Sequence, residues 1–182
     1  METTPVGELL KKKRTAKKKL SEKLKFSHRK PLLGIFLDNE LGREVDKKMA
    51  SFLRGAEALD LEVVVLTDSN LETFSHPNVI ILPYSRVNRR DLLEAADMAL
   101  CFDFNDVEEM LIHGIIPISG ARSEVVDYNP NRETGCGFVY KGRSAWSIFA
   151  ALVRARETFR FPYDWSHLVR TGLGKVGGRI LK

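Results

Sequence analysis

The residues best suited to chemistry lie together in DFNDVEEMLIHGIIPISGA, residues 103–121. Acids sit in a loop at a strand end, and a short helix carrying Glu108 and Glu109 follows. Gly114 closes that helix, and the next strand ends in Ser119–Gly120. A helix start facing a crevice can receive phosphate, and a carboxylate on it can reach a sugar hydroxyl. The same residues also suit an ordinary strand–helix–strand corner with solvated acids.

Other candidate chemistry is weaker. GLGKVG, residues 172–177, has three spaced glycines, but a helix precedes it and no long helix can follow. A dinucleotide fingerprint needs a strand before and a helix after, so a flexible C-terminus is the expectation there. His28, His76, His113 and His167 are scattered singly, so no metal site is expected. Cys101 lies inside an apolar run and reads as buried; Cys136 lies between Gly135 and Gly137 and reads as a turn residue. The Gly-x-Ser-x-Gly nucleophile motif is absent.

The elements that must position the 103–121 segment alternate regularly. Apolar runs at 31–37, 61–66, 78–82, 97–102, 115–119 and 137–140 suit strands. Helical spacing covers 43–59, 89–96, 106–113 and 144–159, the last with Ser144 as N-cap, and a final helix follows Pro162. Continuous apolar strands alternating with helices predict an α/β fold, a single Rossmann-like doubly wound parallel sheet. In such sheets ligands bind beyond the C-terminal strand ends. The loops after Leu37, Leu66, Leu82, Phe102 and Ser119 are then the ones to watch.

Composition bounds the rest. The 182 residues suit one domain, 43% of them are hydrophobic, and no apolar run reaches the roughly 20 residues of a membrane span. The basic N-terminus lacks the apolar stretch of a secretory signal. Two cysteines give no disulfide framework, which points to the cytoplasm. The net charge of +5 divides into +8 over residues 1–30 and −3 over residues 31–182. In the leader, Ala16, Leu20 and Leu24 recur every four residues, so a helix with a narrow apolar stripe is expected. It reads as a solvated helix packed weakly on the domain, as a linker, or as a contact for nucleic acid or anionic lipid. No aromatics interleave with its lysines, so nucleic acid is not the expected partner. Residues 1–30 are thus expected as leader or linker, 31–173 as the Rossmann-like domain and 174–182 as a flexible tail.

The order of these pieces resembles the C-terminal, nucleotide-sugar-binding domain of bacterial glycogen synthases and plant starch synthases, glycosyltransferases of the GT-B fold. PLLGIFL after the lysine-rich leader looks like the linker and first strand of that domain. RRDLLEAADMALCF looks like its Ala-rich helix and "AAD" strand, and EEMLIHGIIPIS like its "EAM-x-x-G-x-P" stretch. DYNPNRETGCGFVY looks like its "DYNP…GTGF" turn, and RETFRFPYDWSHLVRTGL like its closing Tyr/Trp helix. The resemblance implies retaining transfer of glucose from ADP-glucose or a UDP-sugar, with the donor held by this half and the acceptor by another.

The departures from that pattern fall at the donor site. The first loop should carry an Arg and then a Lys for the diphosphate; here it reads LDNELGREV, with Leu37–Asp38 at the Arg position and only Arg43 nearby. A carboxylate there repels a diphosphate. Glu109 fits the second of two acids expected around the helix start; Asp103 or Asp106 could stand for the first in a shortened loop. A Gly-Gly pair is replaced by Ser123–Glu124. The acceptor domain and the C-terminal extension that crosses back to it have no counterpart in the sequence. The resemblance with these departures implies a homologue of the donor domain that is not catalytic alone, with a protein partner supplying a GT-B N-terminal domain. Its expected substrate-binding residues are Glu109, Asp103, Asp106, Ser119 and Gly120, with no catalytic residue, metal or cofactor. The alternatives are a subunit of a split glycosyltransferase binding ADP-glucose or a UDP-sugar, and an anionic-surface or nucleic-acid binder acting through the leader.

Overall fold

A computed structural model describes residues 5–37, 43–68, 77–103, 105–142 and 144–180. Helix α1 spans Pro5–Leu24, β1 Leu32–Phe36, α2 Arg43–Ala56, β2 Glu62–Leu66, β3 Val79–Leu82 and α3 Arg86–Ala95. Then follow β4 Met98–Cys101, α4 Val107–Ile112, β5 Ile116–Ser119, β6 Phe138–Val139, α5 Ala145–Phe159 and α6 Pro162–Ile180. The strands form one parallel sheet of six in the order β3-β2-β1-β4-β5-β6. Chain order reverses between β1 and β4, which is where an open α/β sheet forms its crevice. The expected doubly wound sheet is therefore present.

The continuous apolar strands are buried on both faces because alternate residues feed two cores. Leu33, Ile35, Val63, Val65, Leu100 and Ile118 meet α2 and α5 through Phe52, Leu53, Leu152 and Ala155. Leu32, Phe36, Val64, Leu66, Ala99 and Cys101 meet α3 and α4 through Leu92, Leu93, Met110 and Leu111.

Two expectations need correction. The leader is not weakly packed. Helix α1 buries Val6, Lys13, Lys17, Leu20 and Ser21, a wider stripe than Ala16, Leu20 and Leu24 suggest. The Lys17 Nζ donates to Asp97 Oδ2 at 2.5 Å, and the Leu32 amide donates to the same oxygen at 2.8 Å. One carboxylate thus ties the leader, the start of β1 and the start of β4 at the N-terminal edge of the sheet. Residues 174–180, expected as flexible tail, continue α6. Packing outweighs the helix cost of the glycines. Gly172 lies so close to Leu111 that a Cβ there would sit 2.7 Å from its Cδ2. Val176 is buried one turn on, and Lys175 Nζ donates to the Ser123 carbonyl at 2.8 Å.

Smaller differences concern element ends. Helix α3 starts at Arg86, three residues before the expected position, because the Ser85 hydroxyl caps it by accepting from the Asn88 amide at 3.1 Å. The helix expected over 43–59 finishes as a 3-10 turn, Glu57–Leu59, and Asp60 reverses the chain at φ 49°.

Candidate functional site

At the β1/β4 reversal the C-terminal ends of β1, β4 and β5 lie side by side. Leaving β4, the chain turns sharply through Asn105, which is buried. Asn105 Oδ1 accepts from the Phe102 amide at 2.7 Å, and its Nδ2 donates to the Phe36 carbonyl at 3.1 Å. One amide side chain therefore shapes the β4–α4 loop and fastens it to the end of β1. Asp106 then caps α4, its Oδ1 accepting from the Glu109 amide at 3.0 Å. Gly114, at φ 65°, closes that helix, as its position after His113 suggests.

Arg122, beyond β5, reaches back across the same edge. Its Nη1 donates to the carbonyls of Phe102 at 3.0 Å and Asn105 at 3.2 Å, and its Nε lies 3.8 Å from Glu124. Tyr140, beyond β6, donates from its hydroxyl to the Cys101 carbonyl at 3.4 Å. Burial raises the Tyr140 phenol above its usual range, so this group is a neutral donor at neutral pH. Among the described residues, this edge brings together the Arg122 guanidinium, the Tyr140 phenol and the buried Asn105 amide.

The five residues singled out from the sequence are placed as follows. The pairing of Cys101 with Ser119 sets the end of β4 beside the end of β5, so Asp103, Asp106, Ser119 and Gly120 share this edge. Asp103 is exposed and, among the described residues, makes no hydrogen bond. Asp106 is engaged as the helix cap. Ser119 is buried, with its hydroxyl donating to the Gly120 carbonyl at 2.9 Å. Gly120 faces the Tyr140 ring. Glu109 turns toward α3 instead. Arg89 grips both of its oxygens, with Nη1 donating to Oε1 at 2.9 Å and Nη2 to Oε2. Arg89 Nε also donates to the Tyr84 hydroxyl at 3.2 Å. The Glu109 carboxylate holds the Arg89 guanidinium more firmly protonated than usual.

Sequence reasoning did not single out Asn105, Arg122, Tyr140 or Arg89. The signal for Asn105 was local: a short amide residue in a tight turn from strand to helix. Asp38 and its loop, His76 and the side chain of Arg43 lie outside the described residues. Among the described residues no group of His, Cys, Asp and Glu is arranged to hold a metal ion. Burial pushes the Cys101 thiol up to about 12, so it is a protonated core group rather than a nucleophile. Cys136 is buried, with Sγ 3.6 Å from the Glu124 carbonyl. No helix among the described residues is long and apolar enough to cross a membrane.

No family model matches the chain. Its backbone is similar to several solved structures. One is the catalytic domain of starch synthase IV from Arabidopsis thaliana bound to ADP and acarbose, at a TM-score of 0.73 and 19% identity. The similarity covers 88% of this chain and 38% of that one. Another is WaaG, a glycosyltransferase involved in lipopolysaccharide biosynthesis, at 0.62 and 15%, over 87% of this chain and 46% of that one. A third is the C-terminal domain of a group 1 family glycosyl transferase, LpcC, from Francisella tularensis, at 0.61 and 12%, over 92% of both chains. The chain spans less than half of the first two and nearly all of a structure that is itself a C-terminal domain. These likenesses give the architecture: the chain has the Rossmann-like fold of the C-terminal half of GT-B glycosyltransferases.

Proposed function

We propose that this chain is a donor-domain-like unit that transfers no sugar on its own and acts as a protein-binding half of a GT-B-type assembly. The observation that carries the reading is the grip of Arg89 on both oxygens of Glu109. The two-pronged ion pair orients the Glu109 carboxylate toward α3, so turning it to a sugar or ribose hydroxyl would compete with Arg89. Asp106 commits its Oδ1 to the helix cap. The partner reading draws support from Trp146, which is 80% exposed in the first turn of α5 and edge-on to Phe149 at 6.3 Å. Helix α5 starts just after β6, so this aromatic stands beside the C-terminal edge. Large exposed aromatics of that kind anchor protein interfaces.

A second reading, a donor-binding subunit of a split glycosyltransferase, is favoured by Arg122. This cation lies at the C-terminal edge, where Nη1 donates to two carbonyls and Nε faces Glu124, so a bound anion would meet a guanidinium already held in place. Calorimetric titration of the chain with ADP, UDP, ADP-glucose and UDP-glucose separates the readings. The first predicts no saturable heat up to about millimolar ligand, about −4 kcal/mol of binding free energy. Saturable binding that Arg122→Gln removes would establish the second.

A further inference from the structure

Helix α1 displays a second surface that the donor-site reading does not use. Its buried face rests against α3 and α6, so the helix is fixed along its length. Between Glu8 and Glu22, its exposed positions are Lys11, Lys12, Arg14, Thr15, Lys18 and Lys19. Five of these six are cations and none is acidic or apolar. They lie within about 12 Å of helix at 1.5 Å per residue. Among the described residues none of the five has a carboxylate within ion-pair distance, whereas Lys17 and Lys23 are paired with Asp97 and Asp91. At about 0.1 M salt the screening length is near 10 Å, so the five charges act together.

We propose that this ridge docks the protein on an anionic bilayer surface, at headgroup level and without insertion. The face has no apolar side chain to enter the acyl region, so attraction rests on charge alone. A planar surface needs one outward arc of a helix, and one arc is what α1 leaves free. Nucleic acid fits less well. The arc carries no aromatic to stack on a base and no amide to read a base edge. Each basic residue near an anionic surface strengthens partition about five-fold at low salt.

The test is flotation of the full chain with phosphatidylcholine vesicles, with and without about 30% phosphatidylserine, at about 0.1 M salt. The expected result is binding to the anionic vesicles alone, lost near 0.5 M salt. Replacing Lys11, Lys12, Arg14, Lys18 and Lys19 together by Gln, a good helix former, is expected to lower partition at least about 100-fold. A second variant, Lys11→Glu with Lys18→Glu, reverses charge at two exposed positions and is expected to lower it as well. An unchanged circular dichroism spectrum and melting temperature in both variants will show that the fold is retained. Absence of binding to the anionic vesicles, equal binding to neutral ones, or binding untouched by the substitutions would overturn the proposal. Tighter binding to a duplex or single-stranded RNA than to the vesicles, at equal anionic charge, would also overturn it and assign the ridge to nucleic acid.

Discussion

The two edges of the sheet use their carboxylates differently. At the N-terminal edge, Asp97 holds Lys17 and the Leu32 amide with one oxygen, and both charged side chains are largely buried, at 7% and 14% exposure. At the C-terminal edge, Glu109 holds Arg89 through two oxygens, and both side chains are about one-third exposed. Through Asp97 the first pair ties α1 and β1 to the start of β4, some 65 to 80 residues further on. The second joins α3 to α4 at a partly exposed position, where water competes for it. The same chemistry is thus structural on one side and, on the proposed reading, occupies on the other a carboxylate that a ligand would need.

Substitutions can break this contrast. The largest effect is expected from Asp97→Ala, which leaves Lys17 buried without its counter-charge and the Leu32 amide without its acceptor. Loss of such a pair costs about 3–5 kcal/mol, so denaturant unfolding should shift strongly or the chain should fail to fold. A cost below 1 kcal/mol, on the scale of an exposed ion pair, would erase the difference between the edges.

Next comes Lys13, buried on α1, whose Nζ has no hydrogen-bond partner among the described residues. Burial lowers its pKa from 10.5 to about 8, against an upward pull from Asp97. The unfolded chain therefore binds more protons than the folded one between those two values. Stability should rise with pH across that window and carry its full penalty below it. Lys13→Met should stabilise the protein by about 1–3 kcal/mol near pH 7 and flatten that rise. Urea titrations at pH 7 and at pH 10 check both statements, and a variant less stable than the wild type would refute the penalty.

The smallest effect is expected at the C-terminal edge. Arg89→Met should cost under about 1 kcal/mol, since its pair with Glu109 is partly solvated. Its informative consequence is a freed Glu109. If the lock is what closes the site, Arg89→Met should show nucleotide-sugar binding that the double variant with Glu109→Gln lacks.

Much of the fold was legible in the sequence because parallel strands covered on both faces must be apolar without interruption, as in LEVVVL and DMALCF. The depth of α1 was not legible. Lys13 and Lys17 read as solvent-facing, and the acid that draws Lys17 inward lies 80 residues away. The tail was misread for a related reason. Glycines argue against a helix locally, while Gly172 permits the contact with Leu111 that holds one. At the candidate site, the acids of 103–121 stood out by type and spacing. Their partners did not, because the adjacency of α3 and α4 brings Arg89 to Glu109, and the paired ends of β4 and β5 bring Arg122 to the β4–α4 loop.

The central claim, a GT-B half that does not turn over alone, is tested most directly by assaying the purified chain for transfer of labelled glucose. The donors are ADP-glucose and UDP-glucose, and the acceptor is an oligoglucan. The account predicts incorporation no greater than in a sample without protein. Incorporation that grows with protein concentration and falls in Glu109→Gln would contradict it.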